Sequence, residues 1–227
     1  MERHLFVIEG LDGSGKATQT NLLQAALEEQ GIPCRHVSFP DYDSESSALV
    51  KLYLNGAFGS SPADVNPYAA SSFYAVDRFA SFQRDWKREY EGGSVILADR
   101  YATSNLIYQL SKVERSQWDS FIDWAESYEY DKLQLPRPTA TIYLDMAPEI
   151  SQGLLRDRYG GDESKKDLHE RNVSFLEECR QSALYSAKRC GWKIIRCDTG
   201  TRPKTMEEIH SLIMAEVLPC LTLGRRE

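Results

Sequence analysis

The sequence has no excess of positive charge. It contains 27 Lys and Arg against 34 Asp and Glu, which gives a formal net charge of −7 at pH 7. Proteins that bind polymeric nucleic acid rely on concentrated Lys and Arg to neutralise the phosphate backbone. The composition therefore predicts no nucleic-acid partner. Small anionic ligands remain compatible with it, because a local group of backbone N–H groups binds an anion regardless of net charge.

Long apolar segments are also missing. No run approaches the roughly 18 consecutive apolar residues that a membrane-spanning helix needs. The first ten residues, MERHLFVIEG, lead directly into a strand pattern without the features of a signal peptide. We therefore expect no membrane partner and a cytoplasmic location.

The sequence is poor in clustered metal-binding residues. Its five cysteines form no C-x-x-C pair and are odd in number, which indicates reduced thiols rather than a disulfide framework. The four histidines are equally scattered, so no metal site built from Cys and His is predicted.

The most informative segment that is present is residues 6–19, FVIEGLDGSGKATQ. A short apolar strand runs into a glycine-rich turn, and a helical pattern follows. The glycines let the backbone bend around an anion, so that N–H groups at the start of the helix point at phosphate oxygens. The lysine adds a positive charge for the β- and γ-phosphates of a nucleotide. The predicted ATP-binding loop consists of Gly10, Leu11, Asp12, Gly13, Ser14, Gly15, Lys16, Ala17 and Thr18.

One position departs from the usual G-x-x-x-x-G-K-[ST] pattern. The hydroxyl that ordinarily ligates Mg²⁺ after the lysine is replaced by Ala17, with Thr18 one place further on. Nucleotide binding does not depend on that hydroxyl. The metal is then left to nucleotide oxygens, water and a nearby carboxylate, and the sequence leaves open how it is held.

Strand and helix patterns alternate along the chain, which is typical of a parallel sheet with helices on both faces. Strand patterns lie at residues 6–8, 35–39, 95–98, 141–144 and 192–196. We therefore predict an α/β fold with a five-stranded parallel sheet. No internal repeat or linker is present, so residues 1–227 are expected to form a single domain.

One long helix is predicted from Pro67 to about Tyr90. Its small and apolar residues repeat at helical spacing and can line one side of the helix. These residues are Ala69, Ala70, Phe73, Val76 and Ala80.

Charged residues follow the predicted strands, at the edge of the sheet where ligands bind in such folds. Asp99 is a candidate to orient Mg²⁺ or its waters, and a helix N-cap is the alternative for the same position. Arg100 suits an anionic partner, because a guanidinium meets phosphate bidentately. Arg78 follows Asp77 on a helix, where adjacent residues do not face each other, so an external anion is the better partner for Arg78.

Four motifs make the chain resemble the thymidylate (dTMP) kinases of the P-loop nucleoside monophosphate kinase group over nearly its whole length. GLDGSGKATQ is similar to the family's phosphate loop, FPDY to its second-strand motif, FYAVDRFAS to its monophosphate-binding helix and DRYATSNLIYQ to its most specific signature. The resemblance implies a P-loop fold and transfer of the γ-phosphoryl group of ATP to dTMP with Mg²⁺. It also implies a homodimer formed through helices on one side of the sheet, for which the apolar stretch 73–82 is suited.

The same resemblance implies a role for each matched residue at the acceptor. Phe73 would stack on the thymine ring, which suits an aromatic face. Arg78 and Arg100 would hold the 5′-phosphate of dTMP. Asp12 would accept from the 3′-hydroxyl of the deoxyribose, and Tyr108 would pack against C2′ of the sugar.

Two further matches concern the base and the loop after the second strand. Either Gln109 or the pair Ser104-Asn105 would reach the edge of the base. Phe39-Pro40 resembles a motif in which the peptide bond before proline is cis.

Residues 159–167, YGGDESKKD, resemble the family's lid, which is expected to be mobile and to span about residues 156–168. One branch of the family has an arginine in the phosphate loop where this chain has Gly13, so the resemblance assigns the catalytic cation to the lid. An arginine supplied in this way accelerates phosphoryl transfer by about 10³ to 10⁵. The available lid cations are Arg156, Arg158, Lys165 and Lys166. We expect Lys16, Arg100 and Arg158 to be catalytic, and a solvated charge run is the alternative for the two lysines.

Two other kinds of function fit the sequence less well. A deoxynucleoside kinase shares the loop and lid but needs a carboxylate base, for which Glu9 or Asp12 is available; two arginines for an acceptor phosphate would then be unexplained. The other is a regulatory GTPase switch or a non-catalytic nucleotide-binding module, which would need a guanine-reading N-K-x-D segment that the sequence does not contain. Selectivity for thymine over uracil rests on one methyl group, worth about 1 to 3 kcal/mol, so some activity on dUMP is expected.

Overall fold

The structure is a computed structural model that describes residues 2–158 and 173–223; for residues 155–158, 173, 222 and 223 it describes the backbone alone. Five parallel strands form one sheet in the order β2-β3-β1-β4-β5. The strands are β1 Leu5–Gly10, β2 Cys34–Ser38, β3 Val95–Asp99, β4 Ala140–Asp145 and β5 Lys193–Arg196. The predicted five-stranded parallel sheet is confirmed.

Helices connect the strands. Within the described residues the α-helices are α1 Lys16–Glu29, α2 Ala48–Leu54, α3 Pro67–Ser81, α4 Lys87–Glu91, α5 Asn105–Tyr108, α6 Trp118–Glu126, α7 Pro148–Arg158, α8 Val173–Cys190 and α9 Met206–Leu223. A π-helical stretch, Phe82–Trp86, joins α3 to α4, so the long helix predicted from Pro67 to about Tyr90 contains one widened segment. None of the described helices is both long enough and apolar enough to cross a membrane.

Alternating side chains of β1 cover both faces of the sheet, as the period of two in a strand requires. Phe6 and Ile8 pack with residues of α1 and α9 on one face. Leu5 and Val7 pack on the other face with Phe82 and other residues of the π-helical stretch. The central strand is therefore buried from both sides, which leaves only its carboxyl end open to a ligand.

The apolar side of α3 is only partly buried. Of the residues on it, Ala70 is buried, but Val76 is 48% exposed. The inward face instead carries Asp77 and Arg78, each 1% exposed. This helix therefore turns a polar face towards the interior, where the charged groups find partners.

Candidate functional site

An open cavity of about 1160 Å³ lies at the carboxyl ends of the central strands. Most of the predicted site residues line it. They are Asp12, Gly13, Ser14, Gly15, Lys16, Ala17, Thr18, Phe39, Pro40, Arg78, Asp99, Arg100, Ser104, Asn105, Tyr108 and Gln109. Gly10, Leu11 and Phe73 are not part of the lining.

The phosphate loop folds back on itself between β1 and α1. Gly15, with φ +89°, stands directly before α1 in a conformation that disfavours any residue with a Cβ. At Gly10, an added Cβ would clash with Oγ of Ser14 and lie 3.0 Å from the backbone carbonyl oxygen of Leu144, so the close packing of the loop favours glycine there. The N-terminus of the 14-residue helix α1 thus reaches the cavity, which suits an anion.

Lys16 is held inside this loop. Its Nζ donates to the carbonyl of Leu11 over 3.0 Å and lies 3.9 Å from Oδ1 of Asp12. Burial and the charge of Arg100 lower the pKa of Lys16, whereas Asp12 opposes the shift. A phosphate bound to the loop would add negative charge beside the ammonium group and so raise the pKa of Lys16.

Asp12, Arg100 and Tyr108 form a closed triangle at the wall of the cavity. Arg100 donates through Nη2 to Asp12 and through Nη1 to the hydroxyl of Tyr108, over 3.1 Å for the second. That hydroxyl donates to Oδ2 of Asp12 over 3.1 Å. Burial would lower the pKa of Arg100, but the Asp12 carboxylate holds it well above its ordinary value. A fixed, charged guanidinium therefore stands at this wall.

Glu9 is hydrogen-bonded to two residues that line the cavity, Tyr101 and Ser104, and this structural role was not predicted. It is fully buried and accepts hydrogen bonds from N of Tyr101 (3.1 Å), Oγ1 of Thr103 (2.7 Å) and Oγ of Ser104 (2.9 Å). The hydroxyl hydrogen of Ser104 is thus engaged by Glu9, which leaves that residue less suited to reading a base edge. A charged residue inside the apolar strand FVIEG is the signal that could have indicated this role.

Arg78 lines the cavity but is already paired. Its Nε donates to Oε2 of Glu129 over 2.8 Å, and its Nη2 donates to Oε1 of the same carboxylate. Asn105 donates through Nδ2 to Oε1 of Glu129 over 2.8 Å. No local pattern pointed to Glu129, which lies 51 residues from Arg78 in the chain.

The aromatic residue of α3 that lines the cavity is Tyr74, not the predicted Phe73. Tyr74 lines the cavity, whereas the ring of Phe73 packs against that of Phe58, with 5.6 Å between centroids. Residues four apart share a helix face, and Tyr74 precedes Arg78 by four positions. The spacing to Arg78 was the signal that distinguishes the two aromatic residues.

Two other predicted residues fit a ligand. Gln109 is 1% exposed and lines the cavity, and neither atom of its amide has a partner among the described residues. Asp99 lines the cavity, and it is not the N-cap of the helical turn that follows, since Tyr101 precedes that turn directly. The peptide bond between Phe39 and Pro40 is cis, as expected.

The donor set fits Mg²⁺ only in part. In the described ranges, no group of three or more His, Cys, Asp or Glu side chains is placed to hold a metal. Mg²⁺, however, keeps several waters and is usually bound through one or two carboxylates together with substrate phosphates. Asp99 supplies one such carboxylate beside the phosphate loop.

The side chains of the four lid cations lie outside the described part of the structure. The backbone of α7 extends to Arg158, but the side chains of Arg156 and Arg158 lie outside the described part of the structure, as do Lys165 and Lys166 entirely.

Known proteins share this arrangement of elements and sequence. The family model described as thymidylate kinase matches residues 8–213. The thymidylate kinase of Bifidobacterium longum (strain DJO10A) is 33% identical over 183 residues, which cover 79% of this chain and 82% of that protein. The Caenorhabditis elegans thymidylate kinase is 30% identical over 203 residues, covering 86% and 83%. The solved structure of Candida albicans thymidylate kinase has the same fold, with a TM-score of 0.69, 23% identity and coverage of 95% and 91%.

Proposed function

Because the chain belongs to the thymidylate kinase family, we propose that its cavity binds ATP at the phosphate loop and dTMP between Tyr74 and Arg100. The protein is a phosphotransferase that uses ATP to phosphorylate dTMP to dTDP. The observation that carries the site assignment is that the phosphate loop and the Asp12–Arg100–Tyr108 triangle face one cavity. The family match does not favour a nucleoside kinase.

On the donor side, the N–H groups at the start of α1 and the ammonium of Lys16 would bind the phosphates of ATP. Asp99, together with nucleotide oxygens and water, would hold Mg²⁺, since Ala17 offers no hydroxyl. When bound, Mg²⁺ would neutralise charge on the transferring phosphoryl group. The phosphate oxygens would take the place of the Leu11 carbonyl as partners of Lys16.

On the acceptor side, Arg100 would hold the 5′-phosphate of dTMP. Its pairing with Asp12 and Tyr108 fixes the guanidinium before substrate arrives, which reduces the entropy lost on binding. Asp12 would accept from the 3′-hydroxyl, and Tyr108 would contact the sugar. The acceptor phosphate is itself the nucleophile and is already anionic, so the reaction needs no strong base.

At the base, Tyr74 would stack on thymine, with Gln109 and Asn105 at its hydrogen-bonding edge. We place Arg78 at the base rather than at the phosphate, in contrast to the expectation from sequence. The reason is that Glu129 neutralises its charge and occupies two of its donors. Phe39 and Pro40 would close the wall of this pocket.

The lid would supply the remaining cation. Arg158 is the candidate, with Arg156, Lys165 and Lys166 as the other lid cations. An arginine here would neutralise the equatorial oxygens of the moving phosphoryl group, and closure of the lid would exclude water that otherwise hydrolyses ATP.

We further propose that the protein is a cytoplasmic homodimer. All five cysteines are free thiols, as is usual in a reducing compartment. Exposed apolar side chains on two neighbouring helices support a second copy as a partner. They are Leu49 and Leu52 on α2, and Val76 and Phe79 on α3.

The test of the proposed function is ADP release with Mg²⁺ATP against dTMP, dUMP, UMP, CMP, AMP and thymidine. Fastest turnover with dTMP, and slower turnover with dUMP, is the expected result. Faster turnover with thymidine than with dTMP would refute the proposed acceptor site.

Lys16→Met tests the phosphate loop in the same assay, with the exposed Lys193→Met as its control. We expect the first variant to lose at least 100-fold in kcat and the second to match the wild type. Turnover of Lys16→Met within tenfold of wild type would exclude Lys16 from the donor site.

A further inference from the structure

We infer that Glu129 is a positioning residue that sets which hydrogen-bonding groups Arg78 and Asn105 present to the acceptor base. Glu129 lies in the π-helical stretch Ser127–Lys132 after α6, it is 1% exposed, and it does not itself line the cavity. The inference rests on the proposed base-binding role of Arg78 and Asn105.

The first step concerns Arg78. Its Nε and Nη2 both face the Glu129 carboxylate, so the guanidinium plane is fixed by two parallel hydrogen bonds. Glu129 leaves both N–H groups of Nη1 and the second N–H group of Nη2 without a bond to its carboxylate. The buried pair is neutral as a whole, which matches an uncharged base better than a phosphate group.

The second step concerns Asn105. Its Nδ2 donates to Oε1 of Glu129 over 2.8 Å and also reaches the carbonyl of Ser71 over 3.4 Å. A carboxylate and a carbonyl only accept hydrogen bonds, so the amide nitrogen has to point at them. The Oδ1 of Asn105 is left as the acceptor of this side chain, and Asn105 lines the cavity. The carboxylate of a residue outside the cavity thereby decides the orientation of an amide inside it.

The third step is the consequence for the base. Thymine presents a ring N–H donor beside a carbonyl acceptor, whereas cytosine presents a ring nitrogen acceptor beside an amino donor. A donor from Arg78 and an acceptor from Asn105 match the thymine edge and oppose the cytosine edge. Sites that match hydrogen-bonding edges discriminate strongly, because a wrong edge leaves buried polar groups unpaired.

Glu129→Gln tests this arrangement. Glutamine has one acceptor oxygen, and its NH₂ group would face N–H groups of Arg78 or Asn105 from which the carboxylate of Glu129 now accepts hydrogen bonds. In either orientation of the glutamine, the NH₂ group opposes one N–H of Arg78, which can only donate, so the paired guanidinium is displaced. Where the NH₂ group takes the place of Oε1, it also opposes Nδ2 of Asn105, and Asn105 relieves that second conflict by turning its amide over. We expect KM for dTMP to rise at least tenfold and the preference for dTMP over dCMP in kcat/KM to fall at least tenfold, with KM for ATP within threefold of wild type.

The matched control is Asp131→Asn, the same acid-to-amide change two residues away on an exposed side chain. It should leave all three constants unchanged. A change below tenfold in both KM for dTMP and the dTMP preference would overturn the inference. An equal loss of affinity for ATP would also overturn it, because Glu129 would then support the fold in general.

Glu129→Asp decides the matter if the glutamine variant does not fold. Aspartate keeps the charge and accepts hydrogen bonds only, so the orientation of Asn105 is retained, but the carboxylate is withdrawn by one methylene. We expect KM for dTMP to rise at least threefold with the preference over dCMP maintained. An unchanged KM would overturn the inference.

Arg78→Ala and Asn105→Ala separate this inference from the proposed function on which it rests. If neither raises KM for dTMP, the proposed base site is wrong, whatever Glu129 does. If both raise it and the Glu129 variants do not, the positioning role alone is wrong.

Discussion

The carboxylate of Glu9 accepts a hydrogen bond from the backbone N–H of Tyr101 over 3.1 Å, and this bond joins the end of β1 to the turn after β3. That turn carries Arg100 at φ +67°, a left-handed conformation that costs a non-glycine residue of the order of 1 kcal/mol or more. Hydrogen bonds from Thr103 and Ser104 to the same carboxylate add to the stabilisation. Glu9 thus holds in place the backbone from which Arg100 reaches the cavity.

Glu9→Gln is therefore expected to impair activity without loss of stability. Glutamine can keep an oxygen at the position of Oε1, but it loses Oε2, which also accepts from Oγ of Ser104 over 2.9 Å, and it loses the negative charge that attracts Arg100. The turn and Arg100 are then held less firmly, and we expect kcat/KM for dTMP to fall about tenfold. Burial raises the pKa of Glu9 above its ordinary value of 4.5, so the fold loses stability as the pH rises from 4.5 through the raised pKa and the buried carboxyl ionises. A neutral glutamine removes this cost.

Steady-state kinetics and thermal unfolding at pH 7.5 measure both effects, with the exposed Glu2→Gln as the control. A variant with full activity, or one whose activity loss matches a lowered Tm, would contradict the positioning role of Glu9.

Tyr74 and Phe73 are neighbours that the structure places on different sides of α3. Stacking of a base on an aromatic ring contributes about 1 to 3 kcal/mol, so Tyr74→Ala should raise KM for dTMP by about 5- to 150-fold. Tyr74→Phe keeps the ring and should retain most of the affinity. Phe73→Ala serves as the matched control, and a larger effect of that variant on KM for dTMP would restore the interpretation based on sequence.

The exposed side of α3 predicts self-association. Val76 is 48% and Phe79 38% exposed, and α2 packs beside them. We expect the wild type to have twice its chain mass of 25.8 kDa in multi-angle light scattering. The double variant Val76→Glu with Phe79→Glu should have the mass of one chain, because burying two carboxylates opposes association.

Leu212→Glu on α9 is the control for this experiment, since it changes an apolar residue that is 42% exposed on a different helix. A dimer that survives the double variant, or a wild type that is monomeric at assay concentrations, would rule out this surface as the interface.

The lowered pKa of Lys112 predicts that the stability of the fold depends on pH. Its Nζ donates to the hydroxyl of Tyr53 and to the carbonyls of Pro62 and Val65, and burial lowers the pKa of Lys112 from 10.5 to about 8. Between these two values the unfolded chain binds more protons than the fold does, so this group makes stability rise with pH. This contribution to stability is complete above pH 10.5, the unperturbed pKa, and it is lost as the pH falls through about 8, the pKa in the fold.

The free energy of unfolding in urea, measured from pH 7.5 to 10.5, should therefore increase in the wild type relative to Lys112→Met, by at most about 3 kcal/mol. Lys132→Met removes an exposed lysine and should follow the wild-type profile. Parallel profiles for wild type and Lys112→Met would show that Lys112 does not titrate in this range.

The sequence could predict the features that depend on neighbours along the chain. The phosphate loop could be predicted from Gly13, Gly15 and Lys16, because the backbone bend, the start of the helix and the positive charge all depend on a few consecutive residues. The parallel sheet follows from alternating strand and helix patterns, and β1 to β5 occur where apolar runs predicted them.

Only the tertiary structure decided which side chains meet. Arg78 and Glu129 are 51 residues apart, and Glu9 is 92 residues from Tyr101, so no local pattern couples either pair. The choice between Phe73 and Tyr74 depended on which side of α3 faces the cavity, and that side carries the buried Arg78. Local composition therefore determined the elements and the phosphate loop, and long-range packing determined the base pocket, because buried charged groups take partners from wherever the fold brings them.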